Sequence, residues 1–200
     1  MTPTADQARA ILEPYHSLIR DVIEAAWAEW KAVQGFRASQ GYPPMLYSRS
    51  ISNYIFDALA RTAIMGFGAE ATVRVDVESQ TFKLHFKDLC ARFKKGGEDK
   101  LGQNHPTQAA LAFQEAAGMI PGTSHETGKV EIIWLPNEIW TNLDRILVVA
   151  RDGDRLIWEY EVEREASAAV VLLPTTPSEP DADGPLIRPK PIALPNTEQQ

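Results

Sequence analysis

Two consecutive stretches, Thr72-Val-Arg-Val-Asp-Val-Glu78 and Thr81-Phe-Lys-Leu-His-Phe-Lys87, decide the fold. Each alternates apolar and polar residues, and successive side chains of a β-strand point to opposite faces of a sheet. A tight turn at Ser79-Gln80 therefore folds the two stretches into a hairpin. Its apolar face pairs Val77 with Phe82, Val75 with Leu84 and Val73 with Phe86. The other face sets Asp76 beside Lys83 and Arg74 beside His85.

The remaining apolar patterns predict an α+β protein. Apolar residues recur every three or four positions over 15–34, 50–66 and, more briefly, 106–117, which is the spacing of an amphipathic helix. Besides the first hairpin at 71–78 and 81–87, strand patterns cover 129–135, 145–151 and 155–163. We expect one antiparallel sheet of about five strands, with two or three helices packed mainly on one of its faces.

The connections and the chain end complete this prediction. Asp152-Gly153 is a strong turn signal, and a two-residue turn there pairs Val149 with Leu156 and Leu147 with Trp158. Residues 88–105 include a polar, glycine-rich run and are predicted to be irregular. A single domain over 1–165 is followed by a flexible tail over 166–200, because seven of the last 27 residues are proline.

Composition limits the class of protein. The chain has 200 residues, 44% of them hydrophobic, and a net charge of −7, which opposes broad non-specific binding to polyanions. Cys90 is the only cysteine, so an intramolecular disulfide and a multi-cysteine zinc site are excluded. No apolar run approaches the roughly 20 residues that a membrane-spanning helix needs. We expect a soluble, cytoplasmic protein with no membrane partner, no metal and no cofactor.

Basic and titratable residues gather on the polar face of the first hairpin. These are Arg74, Lys83, His85 and Lys87, followed downstream by Arg92, Lys94 and Lys95. Metal-independent RNA cleavage needs a group that titrates near neutrality and cations that stabilise a charged phosphate, so this face predicts a toxin-like ribonuclease or an RNA-binding protein. The simpler interpretation is a set of cross-strand pairs on a solvated face, each worth about 0.2–1 kcal/mol.

Acidic residues gather at the other end of the chain. Residues 129–200 hold seven Lys/Arg against thirteen Asp/Glu, and Glu159, Glu161 and Glu163 alternate along one predicted strand. Such a ladder either keeps an edge strand in solution or meets a basic partner. Our leading hypothesis is a non-enzymatic interaction or regulatory protein that binds a macromolecule through this hairpin and the tail, as an antitoxin-like neutraliser does. The ribonuclease is the alternative, and whether the protein is an enzyme stays open.

Apolar residues also lie near the predicted connection between the first two helices. Phe36, Tyr42 and Met45 form either an exposed patch or part of the core. The sequence does not distinguish between these two interpretations.

Overall fold

The helices of the described residues lie near the start of the chain. The computed structural model describes residues 2–78, 81–97, 100 and 128–163. Helix α1 spans Ala5–Leu12, α2 spans His16–Ser39 and α3 spans Ser48–Gly68, and the 3-10 turn Glu13–Tyr15 joins α1 to α2. The helices predicted over 15–34 and 50–66 are thus present as α2 and α3. The helix predicted over 106–117 and the tail predicted over 166–200 lie outside the described residues.

Six strands form one sheet in the described residues. They are β1 (Val73–Glu78), β2 (Thr81–Phe86), β3 (Leu89–Lys95), β4 (Gly128–Pro136), β5 (Leu143–Asp152) and β6 (Arg155–Glu161). The strands follow one another across the sheet in chain order, and every neighbouring pair is antiparallel except β3 and β4. The α+β class is confirmed, and every pairing predicted for the first hairpin matches the β1–β2 register.

Strand β3 corrects the prediction that residues 88–105 are irregular. Leu89, Ala91 and Phe93 alternate into the core and are buried, so this segment is an inner strand of the sheet. Its parallel pairing with β4 makes the sheet mixed, with six strands in place of the five expected. The lysines and glycines that follow Phe93 dominate the sequence pattern and hide the short apolar alternation that precedes them.

The register of the last hairpin also differs from the prediction. Val149 lies opposite Glu159, not Leu156, and the ladder shifts between Ala150 and Arg151. The turn is one residue later than expected, with Gly153 at a φ of 56°, a conformation that glycine adopts without strain. The shift turns Glu159 to the same side of the sheet as Val149.

The main core lies between the helices and one face of the sheet, which we call the helix face. Helix α2 contributes a stripe of buried residues at helical spacing, namely Ile19, Val22, Ile23, Ala26, Trp27 and Trp30. Phe67 of α3 meets Phe86 of β2 edge to face, with ring centroids 5.7 Å apart. None of the described helices combines the length and the apolar character needed to cross a bilayer.

Candidate functional sites

The sheet face turned away from the helices, the outer face, carries most of the predicted site residues. Its polar and charged members are Arg74, Asp76, Glu78, Lys83, His85, Arg92, Lys94, Lys129, Glu131, Arg145, Arg151, Glu159 and Glu161. These residues alternate with the buried apolar residues of the helix face, as the pleat of a strand requires.

His85 lies near the first edge of the outer face, opposite Arg74 on β1. Its side chain is only 10% exposed, and its Nε2 lies 3.7 Å from the Asp76 carboxylate. Among the described residues, neither ring nitrogen has a hydrogen-bond partner. Burial lowers the pKa of His85, and Arg74 lowers it further, while Asp76 acts in the opposite direction. The imidazole is therefore neutral at neutral pH.

The other predicted phosphate-binding cations do not all join His85. Lys83 lies opposite Asp76, but its ammonium forms an ion pair with the carboxylate of Glu78. Lys87 is exposed in the turn between β2 and β3, with a φ of 46°. The Nζ of Lys95 lies 4.4 Å from the ring centroid of Trp140, a residue that packs against the core under the helices. Arg74, Lys83 and His85 thus lie together, whereas Lys87 and Lys95 lie elsewhere.

Charged groups in the middle of the outer face are buried. Arg92 on β3 lies directly across from Glu131 on β4, and both are buried. An oxygen of Glu131 lies 3.7 Å from the Nε of Arg151, whose side chain is also buried. Desolvation lowers the pKa of Arg92, and the negative charge of Glu131 partly offsets that effect. These residues form a buried charge cluster, in which Arg92, a predicted nucleic-acid-binding residue, lies beside Glu131.

Lys94 belongs to the same region. It follows Arg92 by two residues on β3 and is partly buried, and desolvation lowers its pKa. The contact of Lys94 with nucleic acid stays a prediction.

Cys90 is the cross-strand neighbour of His85. Burial raises the pKa of its thiol to about 11, although Lys83 and Arg92 favour the thiolate. A nucleophilic cysteine needs a lowered pKa. Cys90 is therefore a neutral, buried thiol at physiological pH.

The acidic ladder is largely neutralised within the chain. An oxygen of Glu159 lies 2.6 Å from the Nζ of Lys100, and an oxygen of Glu161 lies 2.8 Å from the Nε of Arg145. Glu163 follows the end of β6 and is exposed. Two of the three predicted partner-binding glutamates thus already have a cation.

Around the connection between α2 and α3, large apolar side chains are exposed to solvent. Residues 36–47, which we call the hairpin tip, expose more than half of the surface of four large side chains, Phe36, Tyr42, Leu46 and Tyr47. Leu46 is the most exposed of them, at 86%. Met45 packs partly against the core. The sequence pointed to Phe36 and Tyr42 without deciding their exposure, and it gave no signal for Leu46 and Tyr47.

Local contacts fix the shape of the hairpin tip. Arg37 donates a hydrogen bond to the backbone oxygen of Pro43 at 3.0 Å, and its guanidinium lies 5.7 Å from the ring centroid of Tyr42. The backbone N–H of Tyr42 donates to the oxygen of Arg37 at 3.0 Å. Gly41 takes a φ of 71°, which closes the turn after α2. These contacts define the backbone conformation between Arg37 and Pro43.

An open groove of about 740 Å³ lies between α2 and the start of β5. Arg20, Glu24, Trp27, Asn142, Leu143 and Asp144 line it. Arg20 forms an ion pair with Glu24 at 2.8 Å and donates to the oxygen of Val162 at 2.7 Å. None of the residues predicted to act in catalysis or binding lines this groove.

The described residues show no grouping typical of a metal site, and the chain shows no similarity to known proteins. Within the described ranges, no three His, Cys, Asp or Glu side chains are grouped so that they could hold a metal ion. Comparison of the chain with protein-family models, with curated proteins and with solved structures gives no significant match.

Proposed function

We propose that this protein is a non-enzymatic binding protein and that its hairpin tip contacts a protein partner. The observation that carries the proposal is the joint exposure of Phe36 in the last turn of α2 and of Tyr42, Leu46 and Tyr47 in the connection that follows. Apolar side chains scattered singly over a surface need no explanation, whereas a group of them marks an interaction site. Aromatic residues and arginine are also the types enriched at the centres of protein interfaces.

Energetics support the same proposal. Burying a leucine or phenylalanine side chain is worth about 1.5–3 kcal/mol, and the folded chain leaves most of that gain unused at Leu46. A partner that covers the tip recovers it.

The acidic ladder is a further contact surface under the same function. Glu163 is exposed, while Glu159 and Glu161 have cations beside them that a basic partner would have to displace. A basic toxin or nuclease that the protein neutralises is the partner that fits this ladder. The ion pairs make the ladder a weaker candidate than the hairpin tip.

A toxin-like ribonuclease is the second candidate function, and His85 is the observation in its favour. Its imidazole is neutral at neutral pH, has no hydrogen-bond partner in the described residues, and lies beside Arg74. A neutral imidazole is the form that acts as a general base. The ion pair between Lys83 and Glu78 and the separate positions of Lys87 and Lys95 count against it.

Partner capture tests the proposed function. The full-length chain is immobilised and exposed to an extract of its source cells in four forms: wild type, Leu46→Ser with Tyr47→Ser, Met65→Ser with Ile139→Ser, and Glu159→Gln with Glu161→Gln and Glu163→Gln. Met65 and Ile139 are the matched control because they are about as exposed as Tyr47 but lie outside the tip. We expect wild type and control to retain the same partner in equal amount and the tip variant to lose it.

The other outcomes separate the candidates. If only the glutamate variant loses the partner, the partner binds the acidic ladder and not the hairpin tip. Absence of any retained protein contradicts the binding function. Cleavage of mixed-sequence RNA at low salt by wild type but not by His85→Asn replaces the proposal with the ribonuclease.

A further inference from the structure

Resting on the proposed function, we infer that the hairpin tip recognises an acidic protein segment that presents apolar anchor residues, such as one face of an amphipathic helix. The tip joins an exposed apolar group to a basic segment of the chain.

The chain around the tip is basic although the protein as a whole is acidic. Residues 30–56 contain Lys31, Arg37 and Arg49 and no Asp or Glu, whereas the net charge of the chain is −7. The first turn of α3 adds a positive contribution, because no side chain caps the backbone N–H groups that follow Tyr47. Charge complementarity therefore favours an acidic partner at this end of the molecule and disfavours a basic one.

The apolar members of the tip exclude a partner that is only a charged polymer. Leu46 is aliphatic and cannot stack on a base, although it exposes 86% of its surface. The guanidinium of Arg37 already lies over the ring of Tyr42 and donates to Pro43. A nucleic acid needs a longer track of cations, and the charge of −7 repels its backbone. A segment with carboxylates beside leucine-like side chains matches both features of the tip.

Fluorescence anisotropy with designed probes tests this inference on the full-length protein. The first probe is a labelled helical peptide of about five turns with leucine at one face and glutamate elsewhere. The second keeps the leucines and carries lysine in place of every glutamate. A labelled oligouridine RNA of similar length is the third. The proteins are wild type, Leu46→Ser with Tyr47→Ser, Arg49→Gln, and the matched control Met65→Ser with Ile139→Ser.

We expect the acidic peptide to bind wild type at least about tenfold more tightly than the lysine peptide does, because opposite charges at the interface rim favour association. Loss of two central apolar contacts in the tip variant should weaken binding by about tenfold or more. Arg49→Gln should weaken it by about threefold and reduce its dependence on salt. The control variant should bind as wild type does.

Three results overturn the inference. They are equal affinity for the two peptides, acidic-peptide binding that the tip variant retains, and tip-dependent binding of the RNA in preference to the acidic peptide. If the capture experiment recovers a tip-dependent partner while the acidic peptide does not bind, the proposed function stands and only this inference falls. If the peptide binds as expected and no partner is captured, the chemistry of the tip is supported and the cellular function is contradicted.

Discussion

The hairpin tip and the outer face of the sheet reverse the usual distribution of side chains. At the tip Leu46 and Tyr47 are exposed, whereas on the outer face Arg92 and Glu131 are buried. The buried charges have counter-charges within the chain, as the contact between Glu131 and Arg151 shows, so folding itself accounts for them. Among the residues that the structure describes, no comparable contact accounts for the exposed apolar group. Both regions are unusual, but only the tip needs a partner to explain it.

The largest predicted effect tests the buried side of this comparison. Glu131→Gln removes the negative charge but keeps the volume, and it leaves Arg151 without the anion beside it. Breaking a buried pair by removing one partner costs about 3–5 kcal/mol. Urea unfolding should report that loss, while binding of the acidic peptide to the tip should not change.

A matched exposed pair serves as the control. Asp57→Asn breaks the contact of Asp57 with Arg61, in which both side chains are more than half exposed. Exposed pairs contribute at most about 1 kcal/mol, so this variant should unfold nearly as wild type does. Equal losses in Glu131→Gln and Asp57→Asn would show that the charge cluster of the outer face is not effectively buried.

Replacing Gly96 by alanine tests how tightly the apolar part of the outer face is packed. A Cβ added at Gly96 would lie 2.5 Å from Cδ2 of Leu135 and closer still to Cγ2 of Ile133, which is fully buried. Gly96→Ala should therefore lower the free energy of unfolding by about 1–3 kcal/mol.

The same substitution in α2 should have the opposite sign. Nothing lies within 4 Å of a Cβ added at Gly35, so Gly35→Ala should stabilise the protein by about 0.5–1 kcal/mol. Chemical denaturation of both variants gives the comparison. A Gly96→Ala variant as stable as Gly35→Ala would mean that the outer face is loosely packed at this end of β3.

The pH dependence of stability reports on the burial of His85. Its pKa is lowered in the folded state, so the unfolded chain binds protons more readily. The stabilisation is complete above the unfolded pKa of about 6.5. It is lost as the pH falls from that value through the lower pKa of the folded state. His16 has a pKa lowered mainly by burial and contributes with the same sign. His85→Asn should reduce the loss of stability between neutral and mildly acidic pH without abolishing it. An unchanged slope in that variant would contradict the burial of His85.

The smallest predicted effect on stability belongs to the tip. Leu46→Ser with Tyr47→Ser should change the free energy of unfolding by no more than about 0.5 kcal/mol, because these side chains make few contacts that folding buries. Thermal unfolding measures this change. A destabilisation comparable to that of Glu131→Gln would show that the tip residues serve the fold and would remove the main support for a binding surface.

Sequence patterns predicted the parts of the fold that depend on periodicity. The alternation in residues 72–87 determined the β1–β2 register, and the three-to-four spacing in α2 identified the stripe that ends in Trp27 and Trp30. Strand β3 was missed because its apolar alternation covers only residues 89–93 and the polar, glycine-rich run that follows Phe93 is typical of a loop. The last hairpin was misaligned because its turn lies one residue later than Asp152-Gly153 suggests and because the shift next to Ala150 leaves no trace in the alternation.

The candidate sites could not be predicted fully, because they depend on how deeply each side chain is buried, and the local sequence pattern does not specify this. A charged residue normally predicts an exposed side chain, so the burial of Arg92 and Glu131 was not predicted. An apolar residue in a connection is compatible with core or surface, and so the exposure of Phe36 and Tyr42 stayed undecided until the packing of α2 and α3 was known.

The most direct test of the account follows backbone amide shifts of the isotope-labelled full-length protein while the acidic amphipathic peptide is added. One titration distinguishes the hairpin tip from the outer face of the sheet. We predict that the largest shift changes fall within residues 36–49 and that the signals of Arg74, His85 and Arg92 stay in place. Changes confined to the outer face, with the hairpin tip unperturbed, would contradict the claim that the tip is the binding surface.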